Sequence, residues 1–148
     1  MAAELTELKN FIYDTLASDA TLQGLLGGAT NPRVYADQIP QTVLDSGSVA
    51  VLYRTQSPGA DANGLGTVRR ASEPLMYVAA VRKGQPNAAQ RSVDERVDTL
   101  LKDVRASASG AHVISLQREM PVDRAYYDSA NNRFHDLGGL WRSYVRAA

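Results

Sequence analysis

The segment from Asn87 to Arg105 carries the strongest pattern in this chain and constrains the fold most. Its large apolar side chains recur every three or four residues, which places them on one face of an α-helix. Asn87 and Gln90 match a capping box at the start, and Ser107 to Gly110 follow as breakers. The pattern predicts a helix that buries Leu100 against a sheet. The apolar residues of its face are Val93, Val97, Leu100, Leu101 and Val104.

Two further helices are predicted before this one. The N-terminal segment carries a second amphipathic face, and a shorter turn follows it before Gly27 and Gly28. We expect both to bury their apolar residues on the sheet. Those residues are Leu5, Leu8, Phe11, Ile12 and Leu16 in the first helix and Leu22, Leu25 and Leu26 in the second.

Strands are predicted on both sides of the Asn87–Arg105 helix, which is therefore interpreted as a crossover. The predicted strands are Arg33–Tyr35, Ser48–Gln56, Arg69–Lys83, whose first half Pro74 confines to an edge or a bulge, His112–Tyr127 with an interruption at Met120–Pro121, and Arg133–Arg146 with a bulge or bend at Gly138–Gly139. Asn131–Asn132 is predicted to turn the chain between the last two. The fold class that follows is α+β, with a single mixed or antiparallel sheet of about four to five strands and two main helices packed on one face.

Composition limits the classes of function. The chain has 148 residues, so we expect residues 1–148 to form a single domain. The chain has 16 lysines and arginines and 16 aspartates and glutamates, so its formal net charge is zero. It therefore has no overall positive charge that would attract it to nucleic acid or to an anionic membrane. The absence of cysteine excludes disulfides, thiolate catalysis and cysteine-based zinc sites. No apolar run approaches the ~20 residues of a membrane span, and we expect a soluble chain that is not exported.

Side chains suited to catalysis are few. His135 lies next to Asp136, but adjacent strand residues point to opposite faces, and His112 opens a strand. No metal-ligand spacing occurs. The segment Asn63–Thr67 resembles a phosphate loop but lacks the lysine and the following helix. We therefore expect no catalytic, metal-binding or cofactor-binding residues, and a protein that is not an enzyme.

Basic residues on the predicted strands are candidates for an interaction surface. Arg142, Tyr144 and Arg146 alternate along one strand and share a face, and Arg69 and Arg70 open another strand. A solvated outer face and a nucleic-acid-binding module are the alternatives to a protein interface. The neutral net charge favours a protein partner over a phosphate backbone.

The connection from Ser57 to Thr67 is longer than a hairpin requires. It contains Pro58, three glycines and Asn63–Gly64, with Leu65 as its large apolar residue, so it has little to bury. We predict a mobile loop that a partner orders during assembly.

Three features together resemble a known family: the N-terminal helix, the segment Leu22–Gly28 (LQGLLGG) and the segment Val34–Pro40 (VYADQIP). With the order of the later elements, they resemble the tail-completion or tail-terminator proteins of long-tailed bacteriophages over nearly the whole chain. The resemblance implies a small α+β domain that assembles into a six-fold ring on the end of the tail tube. Such a ring ends tube growth and joins the tail to the head connector.

The resemblance also implies partners and a location. The partners are other copies of the chain in a hexameric ring, the tail tube protein and the head–tail connector protein, with DNA only in transit through the lumen and no membrane. The location is the virion, at the head-proximal end of the tail, after assembly in the host cytoplasm. A head–tail connector protein of the neck is the alternative. The predicted assembly-interface residues are Ser57, Pro58, Gly59, Asn63, Gly64, Leu65, Gly66, Val68, Arg69, Arg70, Arg142, Tyr144 and Arg146.

Overall fold

The computed structural model describes residues 2–28, 32–57, 61–63, 69–102, 105–108 and 112–147. These residues form helices and strands in the mixed order that the α+β class requires, and the predicted class is confirmed. The helices are Ala2–Ala17 (α1), Ala20–Leu25 (α2), Gln41–Asp45 (α3) and Ala88–Leu101 (α4). The strands are Val34–Ala36 (β1), Ala50–Ser57 (β2), Asp61–Asn63 (β3), Arg69–Ser72 (β4), Leu75–Lys83 (β5), Arg105–Ala108 (β6), His112–Tyr127 (β7) and Arg133–Ala147 (β8).

The strands belong to one sheet. Its body has the spatial order β1, β2, β5, β8 and β7. β1 is parallel to β2 and the other neighbours are antiparallel, so the predicted mixed sheet is confirmed. The short strands β3, β4 and β6 extend the sheet at the end that holds the C-terminal part of β8. Because β5 and β7 both run antiparallel to β8, they are parallel to each other, and α4 lies in the connection between them as predicted.

The core lies on one face of the sheet, which we call the helix face. Met76, Val78 and Ala80 of β5 are buried there beneath α1 and α4. The apolar faces of both helices point into this core, so the predicted packing of two main helices on one face is confirmed. The buried helical residues are Leu8, Ile12 and Leu16 of α1 and Val93, Val97 and Leu101 of α4.

The opposite face, which we call the open face, is covered in part by α3. Tyr77, Ala79 and Val81 form a smaller apolar cluster there, against which Val43 and Leu44 of α3 pack. This helix was not predicted, because a residue that precedes a proline, here Ile39, is restricted to extended backbone. Pro40 has a φ of −55° and its carbonyl accepts hydrogen bonds from the backbone N–H groups of Val43 and Leu44, so it opens a helical turn.

The start of α4 is as predicted, but its end is not. The Asn87 side chain accepts a hydrogen bond of 2.9 Å from the backbone N–H of Gln90. The helix ends at Leu101, and residues 103–104, which include the predicted face residue Val104, lie outside the described residues. The predicted last helical residue, Arg105, instead begins β6. This strand pairs with β7, whose backbone supplies the hydrogen bonds that a longer helix would have made internally.

Within α4, Leu101 rather than Leu100 is the position where truncation is expected to be costly. Leu101 is fully buried, whereas Leu100 is half-buried at the margin of the core. We expect Leu101→Ala to lower the free energy of unfolding by about 2–5 kcal/mol, and Leu100→Ala to lower it by less. Urea denaturation of both variants measures the two losses. Equal losses at the two positions would contradict the orientation of the helix.

The helix α2 is held by a carboxylate that serves two partners. Asp19 accepts a hydrogen bond of 2.8 Å from the backbone N–H of Leu22, and it pairs with Arg96 of α4 at 2.7 and 2.9 Å. Leu22 and Leu26 are buried as predicted, but Leu25 is 39% exposed. That part of the prediction is wrong because Leu25 lies at the outer rim of the contact between α2 and α4.

The pair of Asp19 and Arg96 leads to an expected dependence on acid. The hydrogen bond from Arg96 holds the pKa of Asp19 below its ordinary value. A carboxyl group whose pKa is lower in the folded state adds stability above its unfolded pKa, and this stability is lost as the pH falls through the folded pKa. We therefore expect the melting temperature to decrease below about pH 4, and to decrease less in Asp19→Asn. Thermal melts of both proteins across this range provide the comparison, and parallel curves would contradict the assignment.

The glycines of β8 do not produce a bulge there. The sequence predicted a bulge or bend at Gly138–Gly139, whereas β8 stays in register with β5 through both residues. The irregularity lies on the neighbouring strand β7, between Arg118 and Met120, where the sequence predicted an interruption at Met120–Pro121. The turn before β8 is as predicted, with Asn131 at a φ of 62°.

Candidate assembly interface

A long antiparallel hairpin extends from the middle of the sheet. β2 leads into β3, and β4 leads into β5, so that Ser57 lies opposite Leu75 and Asn63 lies opposite Arg69. We call β3, β4 and the residues 64–68 between them the hairpin arm. β4 lies within the predicted strand Arg69–Lys83, whereas β3 was not predicted as a strand. The mobile loop expected over Ser57–Thr67 is wrong in part, because its residues 61–63 pair with β4 through the backbone.

The base of the hairpin arm is attached to β8. The predicted strand Arg69–Lys83 divides into β4 and β5, and Pro74, where an edge or a bulge was predicted, lies between the two. The Pro74 carbonyl accepts hydrogen bonds from the Ser143 backbone N–H at 3.0 Å and from its hydroxyl at 2.8 Å. Ser72, which is fully buried, pairs with Val145. These contacts fix where the arm leaves the sheet.

The structure places the predicted interface residues in two parts of the fold, on or beside the hairpin arm and on β8. Ser57 is exposed at the end of β2. Asn63, Arg69 and Arg70 lie on the arm, and Arg146 lies opposite Val113 near the end of β8; their strands are described and their side chains are not. The remaining predicted residues, from positions 58–59 and 64–68, lie outside the described residues. They are Pro58, Gly59, Gly64, Leu65, Gly66 and Val68.

Arg142 and Tyr144 lie on β8 opposite Gln117 and Ser115 of β7. Tyr144 is 38% exposed. Arg142 is not a free cation, because its guanidinium pairs with Glu119 through two hydrogen bonds of 2.9 and 3.0 Å. This pair lowers the pKa of Glu119 and offsets the charge of Arg142, one of the arginines on which the nucleic-acid alternative depends.

The outer edge of β7 is open over much of its length. β6 pairs with β7 from His112 to Ser115, and no described strand pairs with the outer edge of residues 116–127. Met120 is 55% exposed and Tyr127 is 61% exposed on this strand. The bulge near Met120 and the missing N–H of Pro121 protect the first half of the edge, and the second half is free to pair.

A compact polar group occupies the part of the open face that α3 leaves uncovered. It consists of Arg54, Tyr77, Arg124, Tyr126 and Asp136, and we call it the tyrosine–arginine patch. The Tyr77 hydroxyl donates a hydrogen bond to Asp136 Oδ2, and Arg124 Nη2 lies 3.3 Å from the same oxygen. The guanidinium carbons of Arg54 and Arg124 lie 4.6 and 5.7 Å from the centre of the Tyr77 ring. Both distances permit cation–π attraction.

The patch carries more positive than negative charge, because it contains two arginines and one aspartate. Asp136 is 1% exposed, and its Oδ1 has no hydrogen-bond partner among the described residues. Burial raises the pKa of Tyr77 well above its ordinary value and, with Asp136, raises the pKa of Tyr126 to about 12, so both phenols are neutral at physiological pH. Arg124 pairs with Asp136, whereas Arg54 has no carboxylate partner in the described part of the chain.

His135 and Asp136 do not form a pair. His135 Nε2 lies 2.7 Å from Asp123 Oδ1, whereas the Asp136 carboxylate faces Tyr77 and Arg124. The two neighbours therefore point to opposite faces of β8, as predicted. Among residues with described side chains, no three acidic or histidine groups converge on a metal site. No helix within the described ranges is long and apolar enough to span a membrane.

The tyrosine–arginine patch was missed in the sequence. Its residues come from four strands, and Arg124 meets Asp136 only because the two are opposite each other across β7 and β8. Alternation along each strand gives a residue's face but not its partner on the next strand. The sequence did offer one indication of the patch, because Asp136 is a charged residue at a position predicted to lie within a strand.

No protein-family profile and no curated protein matches the chain. Among solved structures, it is similar to a chain of a particle described as "Virion of native gene transfer agent (GTA) particle". The TM-score is 0.62 at 20% sequence identity, and the alignment covers 91% of this chain and 91% of that chain. The two chains share a fold over nearly their whole lengths.

Proposed function

We propose that this protein is a structural virion protein that forms a hexameric ring, ends the growth of a tail tube and joins the tail to the head connector. The observation that carries the proposal is the shared fold with a chain of a gene transfer agent virion, which extends over 91% of both chains. Because one fold can serve many functions, the surfaces of this chain must supply the remaining support.

Two different free edges support ring formation. A ring of identical subunits needs a heterologous interface, in which one surface contacts a different surface of the next copy. β1 pairs only with β2 among the described strands and borders one side of the sheet, while the open edge of β7 borders the other. The two sides of one subunit therefore differ, as a heterologous contact between copies requires.

The hairpin arm is the part of the subunit best placed to contact the tail tube or the connector. It extends from the body of the sheet and is fixed at its base by Ser72 and Pro74. Its sequence carries Leu65 and Val68 for apolar contact and Arg69 and Arg70 for charged contact. The proposed partners are therefore other copies of the chain, the tail tube protein and the connector, with DNA passing through the lumen.

Removing the tip of the arm tests this role. Replacing residues 64–68 with Asn-Gly joins Asn63 to Arg69 through a two-residue turn, which suits the paired register of these two positions. We expect an unchanged melting temperature, because the strands and their base remain, together with loss of tail joining in an assembly reaction. Gly24→Ala, in α2 away from the arm, is the matched control and should join tails normally.

The oligomer is the second test. Negative-stain images of the purified protein should show closed rings. Images of its mixture with tail tubes should show these rings on the tube ends. A chain that stays monomeric at high concentration and with tubes would overturn the proposal. Rings that bind the connector but not tube ends would favour the alternative, a connector protein of the neck. We propose no enzymatic activity, since ring assembly and joining require none.

A further inference from the structure

We propose that the tyrosine–arginine patch of one copy binds the outer side of α1 in a second copy, with Arg54 facing Asp14. This inference deepens the proposed ring by naming its charged contact, and it rests on that proposed function. The patch lies on the open face and α1 lies on the helix face, so the contact joins opposite layers of two copies. Such a contact is heterologous and allows a ring to close.

Arg54 is prepared for an external carboxylate. Its guanidinium is held over the Tyr77 ring at 4.6 Å, and it has no anionic partner within the described ranges. Arg124, whose side chain is 52% exposed, adds a second positive charge on the same face. Asp136 is buried beneath them and already accepts hydrogen bonds from Tyr77 and Arg124. The surface that a partner meets is therefore cationic and aromatic.

The outer side of α1 has the complementary chemistry. Asn10, Tyr13 and Asp14 are exposed and lie three and four residues apart, so they share one side of the helix. Tyr13 is 39% exposed, and the Asp14 carboxylate has no ion-pair partner among the described side chains. The nearby cation Lys9 is engaged by Asp37 at 3.6 Å. An exposed acid beside an exposed aromatic ring suits a patch of arginines and tyrosines.

The other exposed acidic residues fit the patch less well. Glu119 is bonded to Arg142, and Asp45 is bonded to Lys83 at 3.0 Å. Glu95 of α4 lies one turn after the exposed Arg91, so a contact there would bring this cation towards Arg54. Within the part of the chain whose side chains are described, Asp14 combines an unpaired carboxylate with surroundings that lack a free lysine or arginine on the same side of the helix.

Charge reversal tests the contact. Arg54→Glu and Asp14→Lys are each expected to raise the protein concentration needed for half-maximal ring assembly by on the order of tenfold, measured by light scattering and negative stain. The double variant, and an equimolar mixture of the two single variants, should both return towards the wild-type concentration, because each restores opposite charges across the contact. Arg91→Glu and Glu95→Lys, both exposed on α4, are matched controls and should assemble like the wild type.

The outcomes separate this inference from the proposed function. Wild-type rings with normal assembly of Arg54→Glu would overturn the contact and leave the ring intact. Rings of Arg54→Glu that no longer bind tail tubes would also overturn it, because the patch would then serve another virion protein. If both single variants are folded by circular dichroism but fail to assemble, and neither the double variant nor the mixture restores assembly, the pairing of Arg54 with Asp14 is overturned. A wild type that never forms rings would overturn both proposals.

Discussion

A Gly138→Ala variant is expected to lose about 4 kcal/mol or more of its free energy of unfolding. An alanine Cβ at this position would lie 2.1 Å from the Val78 carbonyl oxygen and 2.5 Å from Ala79 Cα. Both atoms belong to the backbone of β5, so no change of side-chain rotamer removes the clash. Relief requires β5 and β8 to separate at the centre of the sheet, where β8 also pairs with β7.

Gly24→Ala is the control for this substitution. Gly24 lies within α2, and a Cβ there would meet nothing within 4 Å. We expect its free energy of unfolding to stay the same or to rise by up to about 1 kcal/mol, because alanine favours helices. Urea denaturation followed by circular dichroism compares the two variants. A Gly138→Ala protein as stable as the wild type would show that the two strands do not approach so closely.

This pair of strands shows why the sequence predicted the elements better than their contacts. Gly138 and Gly139 indicate either a flexible backbone or a close neighbour, and the sequence alone does not distinguish the two. The structure supplies the neighbours: β5 lies against Gly138, and the Arg118 side chain of β7 crosses Gly139. Arg118 then pairs with Asp98 of α4 at 2.9 Å. A larger residue at Gly139 would obstruct this link between sheet and helix.

Amphipathic periodicity predicted α1 and α4 because their burial is periodic along the chain. β3 and β6 were not predicted, since both are short and are formed by backbone pairing with a neighbouring strand. Their sequences, Asp-Ala-Asn and Arg-Ala-Ser-Ala, carry no strong apolar alternation. The same reason explains the error over residues 105–108, where small polar residues were interpreted as the end of a helix.

The candidate interface was predictable only where it depended on a single strand. Alternation placed Arg142 and Tyr144 on one face, but the bonds from Arg142 to Glu119 depend on the register of β7 against β8, including the bulge before Met120. The tyrosine–arginine patch depends on register across four strands. Its buried Asp136 needs neighbours that lie far away in sequence, and only the fold brings them together.

A Trp141→Ala variant is expected to lose about 3–5 kcal/mol of its free energy of unfolding. Trp141 is 1% exposed and is the largest fully buried side chain among the described residues. It lies opposite Met76 on β5 and Arg118 on β7, in the core of the helix face. Because strands fix both neighbours, the core cannot collapse fully into the space that the indole leaves, and a cavity remains.

Trp141→Phe separates the loss of packing volume from the loss of the indole N–H at this position. The phenyl ring fills much of the indole's space, so we expect a clearly smaller loss than in Trp141→Ala. Far-UV circular dichroism in urea measures both variants, since Trp141 is the one tryptophan of the chain and its fluorescence is lost on substitution. Equal losses in the two variants would indicate that the indole N–H, rather than packing, holds this site. An alanine variant with the wild-type urea midpoint would contradict the burial of Trp141 in the core.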